Sequence, residues 1–194
     1  MPEFTPADTL IDDNGIVYLL NGNNATIYRW SSTTEAYINP IRLGQSNGFV
    51  QSTLTALAFS GSQQRLYLGY SDGEITFVDV QGELTEQPFY RLSQQVDGLV
   101  AVGEFVLAQD SSGSWESHYV IDQNGNLTDS QDWNYYSTYY AWNPANQRVY
   151  FFRSTTSPND LHYEVIDQNS GLITDSGETP YHGDYIIEGP ILVT

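Results

Sequence analysis

The feature that most constrains this chain is an internal repeat, in which two sequence segments each return further along the chain. Residues 62–68 (SQQRLYL) return as residues 145–151 (ANQRVYF), an offset of 83 residues. Independently, residues 120–130 (VIDQNGNLTDS) return as residues 165–176 (VIDQNSGLITDS). The two series keep the same order and a similar spacing, so we predict that one structural unit of about 41 residues recurs along the chain.

Each unit has the pattern of short strands separated by turn residues. In the second unit, segments rich in β-branched and aromatic residues predict strands at 54–59, 65–70, 74–80 and 83–89. Asp72-Gly73 and Asn124-Gly125 supply the positive-φ positions that tight hairpin turns need. No segment shows a helical period that is long enough to predict a helix.

Four short antiparallel strands in every 40–50 residues, roughly, are typical of the blade of a β-propeller. We therefore predict an all-β fold, a β-propeller of about four antiparallel four-stranded blades in one domain that spans residues 1–194. The predicted blades lie at approximately 5–45, 46–91, 92–134 and 135–179, with a further strand that starts at 187–193.

The number of units leaves two arrangements open. Closed propellers carry about 4–8 blades, so the chain forms either a compact four-blade ring or an arc of a larger propeller. We favour the arc, which leaves the faces of its end blades exposed. A homodimer through the open propeller ends, with eight blades in one ring, is one way to cover those faces.

The repeat units resemble those of bacterial β-propeller repeat proteins of the lactonase-like and surface-layer kind. The resemblance is carried by residues 65–70 (RLYLGY) with 71–79 (SDGEITFVD), and by the VIDQN segments at 120–124 and 165–169. It covers nearly the whole chain and implies blade architecture without implying one function. The signatures of WD repeats, kelch repeats and sialidase Asp-boxes are not matched.

The charge of the chain restricts its partners. With 24 acidic residues, six arginines and no lysine, the chain has a net charge of −18. Such a surface repels phosphate backbones and anionic lipids, so we expect neither nucleic-acid binding nor membrane insertion. Because Cys is absent, disulfides and thiol catalysis are excluded. Residues 1–4 show no signal-peptide pattern, and we interpret the chain as part of a larger extracellular, cell-surface or periplasmic protein.

Aromatic residues at the predicted connections between blades are the most suggestive functional feature. Trp133, Tyr135 and Tyr136 fall between the third and fourth units, and Tyr181 and His182 follow the fourth. Flat aromatic rings give a large contact area at low entropy cost, on sugar faces or on a protein partner. We predict these five as ligand-binding residues; the alternative is that they fill the junctions between blades.

Three acidic turns, which begin at Asp12, Asp122 and Asp167, offer closely spaced oxygen atoms of the kind that calcium loops use. Their glycines fall at the wrong position for such loops, and Asx side chains commonly cap their own turns. We therefore predict no cofactor and no metal site beyond weak Ca²⁺ binding. His118 and His162 hold nearly matching positions in neighbouring units, so we interpret them as inherited blade residues.

Together these patterns predict a non-enzymatic extracellular binding module that recognises a glycan or a protein partner. One alternative is a propeller enzyme of the lactonase or glycoside-cleaving type, with Asp72 or Asp184 near the channel. Catalysis would require two titratable groups that converge on one pocket, and the sequence does not show such convergence. A second alternative is a structural or assembly segment of a propeller.

Overall fold

The computed structural model describes residues 5–6, 8–21, 25–44, 52–111, 116–133, 136–154 and 159–183. Within these residues the regular secondary structure consists of sixteen β-strands and no helix. The strands form four separate antiparallel sheets of four strands each. This architecture confirms the predicted all-β fold of four antiparallel four-stranded units.

The four sheets follow one another along the chain. Sheet I consists of β1 (Asp8–Ile11), β2 (Ile16–Asn21), β3 (Thr26–Ser31) and β4 (Ala36–Arg42). Sheet II consists of β5 (Leu54–Ser60), β6 (Arg65–Tyr70), β7 (Glu74–Asp79) and β8 (Glu86–Arg91). Sheet III consists of β9 (Val96–Val102), β10 (Phe105–Ser111), β11 (Glu116–Ile121) and β12 (Leu127–Trp133). Sheet IV consists of β13 (Tyr136–Asn143), β14 (Arg148–Ser154), β15 (Asn159–Ile166) and β16 (Ile173–Gly183).

Each sheet is a simple meander, because each strand pairs with the next strand in the chain. Short turns join the strands, and at two of these turns the backbone conformation requires glycine. Gly73 (φ 85°) and Gly125 (φ 80°) both adopt the left-handed backbone region that side chains disfavour. The backbone of another segment also approaches each glycine closely, so a Cβ atom would collide with a carbonyl oxygen at both positions.

The predicted strands of the second unit agree with β5, β6 and β7 to within one residue at each end. The predicted strand at 83–89 is wrong at its start, since β8 begins at Glu86. Asp79 Oδ1 accepts hydrogen bonds from the amides of Gln81 (3.0 Å) and Gly82 (3.1 Å), which closes a turn there. Leu84 then has a φ of 56°, so the chain becomes extended only after this residue.

The sheets pack face to face in chain order, and each interface has its own hydrophobic core. The core between sheets I and II includes Tyr18, Leu20, Ile27, Leu66 and Leu68. The core between sheets II and III includes Ala56, Tyr67, Ile75, Val96 and Val106. The core between sheets III and IV includes Val102, Leu107, Val120, Val149 and Ile166.

The first strands of the sheets lie side by side, with β1 next to β5, β5 next to β9 and β9 next to β13. Sheets II and III are therefore covered on both faces, whereas the described residues cover only one face of sheet I and one face of sheet IV. Among the described residues, no hydrophobic core joins sheet I to sheet IV. The same residues include no helix of the length and apolar character that a membrane crossing requires.

Candidate functional site

The aromatic residues predicted as ligand-binding are described only in part. Trp133 ends β12 and Tyr136 begins β13, and the side chains of both lie outside the described part of the structure. Tyr135 lies outside it entirely. The backbones of Tyr181 and His182 belong to β16 rather than to a connection, because β15 provides pairing partners as far as the end of β16. The binding role of these five residues stays a prediction.

One face of sheet I carries a continuous row of apolar side chains and has no neighbouring sheet among the described residues. Ile11 lies opposite Val17 in the register of β1 and β2, and Val17 lies opposite Trp30 of β3. Trp30 in turn lies opposite Tyr37 of β4. Directly paired residues share one sheet face, and Tyr18, on the other face, packs toward sheet II. We call the face with this row the open face.

The two end members of the row are the most accessible residues of the open face. Ile11 is 64% exposed and Tyr37 is 48% exposed, while the two central members are half-buried. Leu19 and Tyr28, which pair across β2 and β3, extend the apolar surface along the strands. Contiguous exposed apolar surface is a candidate interaction site.

The face of sheet IV that points away from sheet III combines aromatic rings with a cation, and we call it the far face. Tyr150 lies opposite Tyr163, with 6.4 Å between the ring centroids. The guanidinium carbon of Arg148 lies 4.0 Å from the ring centroid of Tyr163. Val149, which alternates with these residues, packs into the core toward sheet III.

Sheet II carries the same arrangement on the face that packs against sheet III. The guanidinium carbon of Arg65 lies 4.2 Å from the ring centroid of Phe77, and Tyr67 lies opposite Phe77. Tyr67 is fully buried in the core between the two sheets. Arg65 also donates from Nη1 to the carbonyl oxygen of Gln123 in the β11–β12 turn, at 2.9 Å. In sheet II, this arrangement is part of a sheet–sheet interface.

A buried polar network joins sheets III and IV. His118 Nδ1 lies 2.9 Å from Glu164 Oε2, and His118 Nε2 lies 3.0 Å from the hydroxyl of Tyr140. The Tyr140 hydroxyl also donates to Gln109 Oε1. Since His118 and Glu164 are both fully buried, the pair is shielded from any ligand and ties the two sheets together.

Asp72 is one of the two carboxylates that the enzyme alternative would place near the channel. In the structure its side chain forms an ion pair and hydrogen bonds at the protein surface. Its Oδ2 lies 3.3 Å from Arg91 Nη2, and its Oδ1 accepts hydrogen bonds from the Ser52 hydroxyl and the Glu74 amide. Burial raises the pKa of Asp72, but the hydrogen bonds from Ser52 and Glu74 and the charge of Arg91 outweigh it and lower the pKa. A carboxyl with a lowered pKa is ionised near neutral pH, so it has no proton to donate as a general acid there. Asp184 lies outside the described residues.

The acidic turns cap their own backbones. Asp122 Oδ1 accepts hydrogen bonds from the amides of Asn124 (2.9 Å) and Asn126 (2.8 Å). Burial raises the pKa of Asp122, but the hydrogen bonds from Asn126 and Asn124 outweigh it and lower the pKa. Asp12 and Asp167 accept backbone amides in the same way. No three His, Asp or Glu side chains in the described ranges converge closely enough to hold a metal ion, and weak Ca²⁺ binding stays a prediction.

A cleft of about 410 Å³ lies between sheet I and the β7–β8 turn of sheet II, next to the side chain of Arg29. Arg29 is only 8% exposed and donates from Nη1 to the carbonyl oxygen of Asn39, at 3.3 Å. Its Nε has no hydrogen-bond acceptor within the described residues. The register of β3 and β4 shifts between Ile27 and Arg29, and this bulge brings the Asn39 carbonyl to the guanidinium. The sequence alone did not indicate this cleft.

Comparisons with known proteins show the fold. No protein-family model and no curated protein matches this chain. The chain is similar to hydrazine synthase of Kuenenia stuttgartiensis, with a TM-score of 0.64 and 15% identity over 90% of this chain and 49% of that chain. The β-propeller domain of Cps50 (Swd1) of Myceliophteria thermophila matches with a TM-score of 0.61 and 10% identity, over 94% and 58% of the two chains. The WD40 domain of Toxoplasma gondii coronin matches with a TM-score of 0.62 and 11% identity, over 90% and 46%.

At identities of 15% or less, these likenesses show the fold and nothing more specific. The chain spans about half the length of the solved chains that it matches. Membership of the lactonase-like or surface-layer kind stays a prediction. Four four-stranded meanders that pack face to face in chain order are four blades of a β-propeller.

Proposed function

We propose that this chain is a non-enzymatic recognition module that binds another protein at the open face of sheet I. The main support is the apolar row from Ile11 to Tyr37, which crosses all four strands of the sheet and has two exposed ends. The similar β-propeller structures favour a binding or scaffold module in general terms.

The composition of the row favours a protein over a glycan. Trp30 and Tyr37 are large rings with few rotatable bonds, and such residues dominate the binding energy of protein interfaces. Ile11 and Val17 add aliphatic surface, whose removal from water contributes about 25 cal/mol per Å². A sugar ring, which carries hydroxyl groups on most of its edge, would leave this aliphatic half of the row poorly covered.

The non-enzymatic part of the proposal has two supports. Asp72 holds Arg91 at the surface and has a lowered pKa, which suits an ion pair better than proton transfer near neutral pH. His118 and Glu164 are enclosed between two blades, where no substrate can approach them. Catalysis would need a pair of titratable groups that face one accessible pocket.

The proposal includes an extracellular, cell-surface or periplasmic location, on the basis of the resemblance to surface-layer-type propeller proteins. A glycan is the second class of ligand that we consider. Its support is the position of Trp133 at the end of β12 and of Tyr136 at the start of β13, at the junction of two neighbouring blades. Aromatic side chains at such a junction stack on sugar rings.

Hydroxyl-radical footprinting of the protein in its native surroundings tests the proposal. Ile11 and Tyr37 should be oxidised more slowly there than in the purified chain at low concentration, because a bound protein shields the open face. Leu127, which is 45% exposed on sheet III, is the reference side chain and should react equally in both samples. Equal reactivity of Ile11 and Tyr37 in the two samples would overturn the proposal.

A further inference from the structure

We infer that the partner of the open face is the far face of sheet IV in a second copy of this chain, so that two chains close one ring of eight blades. The inference rests on the proposed function, because it names the protein that is bound at the open face. Each copy has one open face and one far face, and two copies related by a twofold axis would cover all four faces.

The far face of sheet IV has the same residue arrangement as the face of sheet II that packs against sheet III. Tyr150 follows Tyr67 at the repeat offset of 83 residues, and the residue two places before each tyrosine is an arginine. Tyr67 is fully buried where sheet II packs on sheet III, whereas Tyr150 is only half-buried. Equivalent residues of stacked repeats meet equivalent neighbours, so we expect Tyr150 to be buried against a further blade.

Arg65 and Arg148, which precede these tyrosines by two residues, also indicate that a further blade packs on the far face. Arg65 lies over Phe77 and donates a hydrogen bond to the carbonyl oxygen of Gln123, in a turn of the next blade. Arg148 lies over Tyr163 in the same way. Within the described residues, however, the guanidinium of Arg148 has no hydrogen-bond acceptor. Its polar partner is therefore expected beyond sheet IV, where the next blade would lie.

The repeat also predicts which turn provides that acceptor. Gln123 belongs to the turn between the third and fourth strands of its blade. In sheet I the corresponding turn joins β3 and β4, at residues 32–35. We therefore expect Arg148 of each copy to donate to a carbonyl oxygen of residues 32–35 in the other copy. The open face then lies against the far face, as the neighbouring faces lie within each chain.

Two copies give a number of blades that closed propellers use. The chain spans about half the length of the solved chains that it matches, and two sets of four blades make eight, within the range of about 4–8 that propellers use. In a single copy, no sheet of the described residues covers the open face. Head-to-tail addition without closure would continue into a filament, whereas closure after two copies satisfies every face.

The charge of the chain makes the association sensitive to salt. Each copy has a net charge of −18, so two copies repel each other at long range. The Debye length falls from about 30 Å at 0.01 M salt to about 10 Å at 0.1 M, which screens this repulsion. The apolar contact between the open face and the far face is unaffected by this screening, so dimerisation should strengthen as salt is added.

Sedimentation equilibrium of the purified chain, up to about 100 µM and at low and moderate salt, tests the inference. The expected mass at moderate salt is twice the chain mass of 21.8 kDa, with a shift toward a single chain at low salt. A single-chain mass under all conditions would overturn the second copy as partner. The proposed function would still stand if footprinting showed protection of Tyr37. A mass that rises beyond two chains would overturn ring closure.

Two variants test the pairing of the faces, and far-UV circular dichroism checks that each one folds. Tyr37→Arg alters only the open face and Arg148→Glu alters only the far face, so each variant alone should have the mass of one chain. An equimolar mixture should recover two-chain particles, because one intact open face and one intact far face can still meet. Leu127→Arg, on a blade that is covered on both faces, should remain dimeric. Dimers that persist in both face variants, or a mixture that stays monomeric, would contradict the inference.

Discussion

Nδ1 of His118 lies 2.9 Å from Oε2 of Glu164, and both side chains are fully buried between sheets III and IV. Burying two such polar groups costs several kcal/mol, which their mutual contact and further hydrogen bonds offset. Replacement of one partner leaves the other without its compensating group. We therefore expect His118→Leu and Glu164→Leu each to lower the free energy of unfolding by about 3–5 kcal/mol, measured by urea denaturation.

The double variant provides the control for this prediction. When both partners are replaced by leucine, neither His118 nor Glu164 is left buried without the other, so the loss should be clearly smaller than the sum of the two single losses. Strictly additive losses would show that His118 and Glu164 act independently of each other.

Replacement of Gly125 by alanine tests the contact between the β11–β12 turn and sheet II. A Cβ atom at this position would lie 2.3 Å from the carbonyl oxygen of Phe89, and the residue has a φ of 80°. Gly44 has a similar φ of 72°, but no atom of the described residues lies within 4 Å of an added Cβ, so it is a matched control. Gly44→Ala should cost about 1 kcal/mol from backbone strain alone, whereas Gly125→Ala should cost at least twice as much. Equal thermal unfolding temperatures for the two variants would show that the contact with Phe89 is unimportant.

The hydrogen bonds of Asp122 make the free energy of unfolding depend on pH. The pKa of this carboxyl in the folded state lies below the unfolded value of about 3.9, so the group stabilises the fold above that pH. The contribution is lost as the pH falls through the folded pKa. Asp122→Asn should therefore be less stable than the parent chain at pH 7, by less than about 1 kcal/mol for so accessible a group, and the difference should shrink below about pH 4.

The matched control for this pH prediction is Glu83→Gln, which removes the same charge from an exposed position in another turn. Urea denaturation at several pH values should show little difference between this variant and the parent chain. A deficit of Asp122→Asn that stays constant from neutral to acid pH would contradict the titration of Asp122 as its cause.

The local parts of the fold could be predicted from the sequence because they depend on residues that are close in the chain. Asp72-Gly73 and Asn124-Gly125 specify tight turns, and the β-branched and aromatic segments between such turns specify strands. The start of β8 was misplaced because Leu84 adopts a positive φ, and nothing in its residue type indicates this. Repetition of the unit was sufficient to predict four blades that stack in chain order.

The faces of the sheets could not be predicted, because they depend on cross-strand register and on contacts between distant residues. The row from Ile11 to Tyr37 becomes visible only when three strand pairings are known, since each turn length shifts the register. His118 and Glu164 are 46 residues apart and meet only because sheet III packs on sheet IV. The repeat did contain one usable signal, the recurrence of arginine and tyrosine at Arg65, Tyr67, Arg148 and Tyr150.

Glycan binding, the second class of ligand, predicts a change in tryptophan fluorescence. The purified chain is titrated with a panel of polysaccharides and oligosaccharides beside two variants, Trp133→Ala and Trp30→Ala. If the junction of the third and fourth blades binds sugars, a saturable shift should occur in the parent chain and in Trp30→Ala, and should disappear in Trp133→Ala, because stacking on the ring supplies the affinity. Loss of the shift in Trp30→Ala instead would move the sugar site to the open face. No shift across the panel would exclude these glycans and leave protein recognition as the function to pursue.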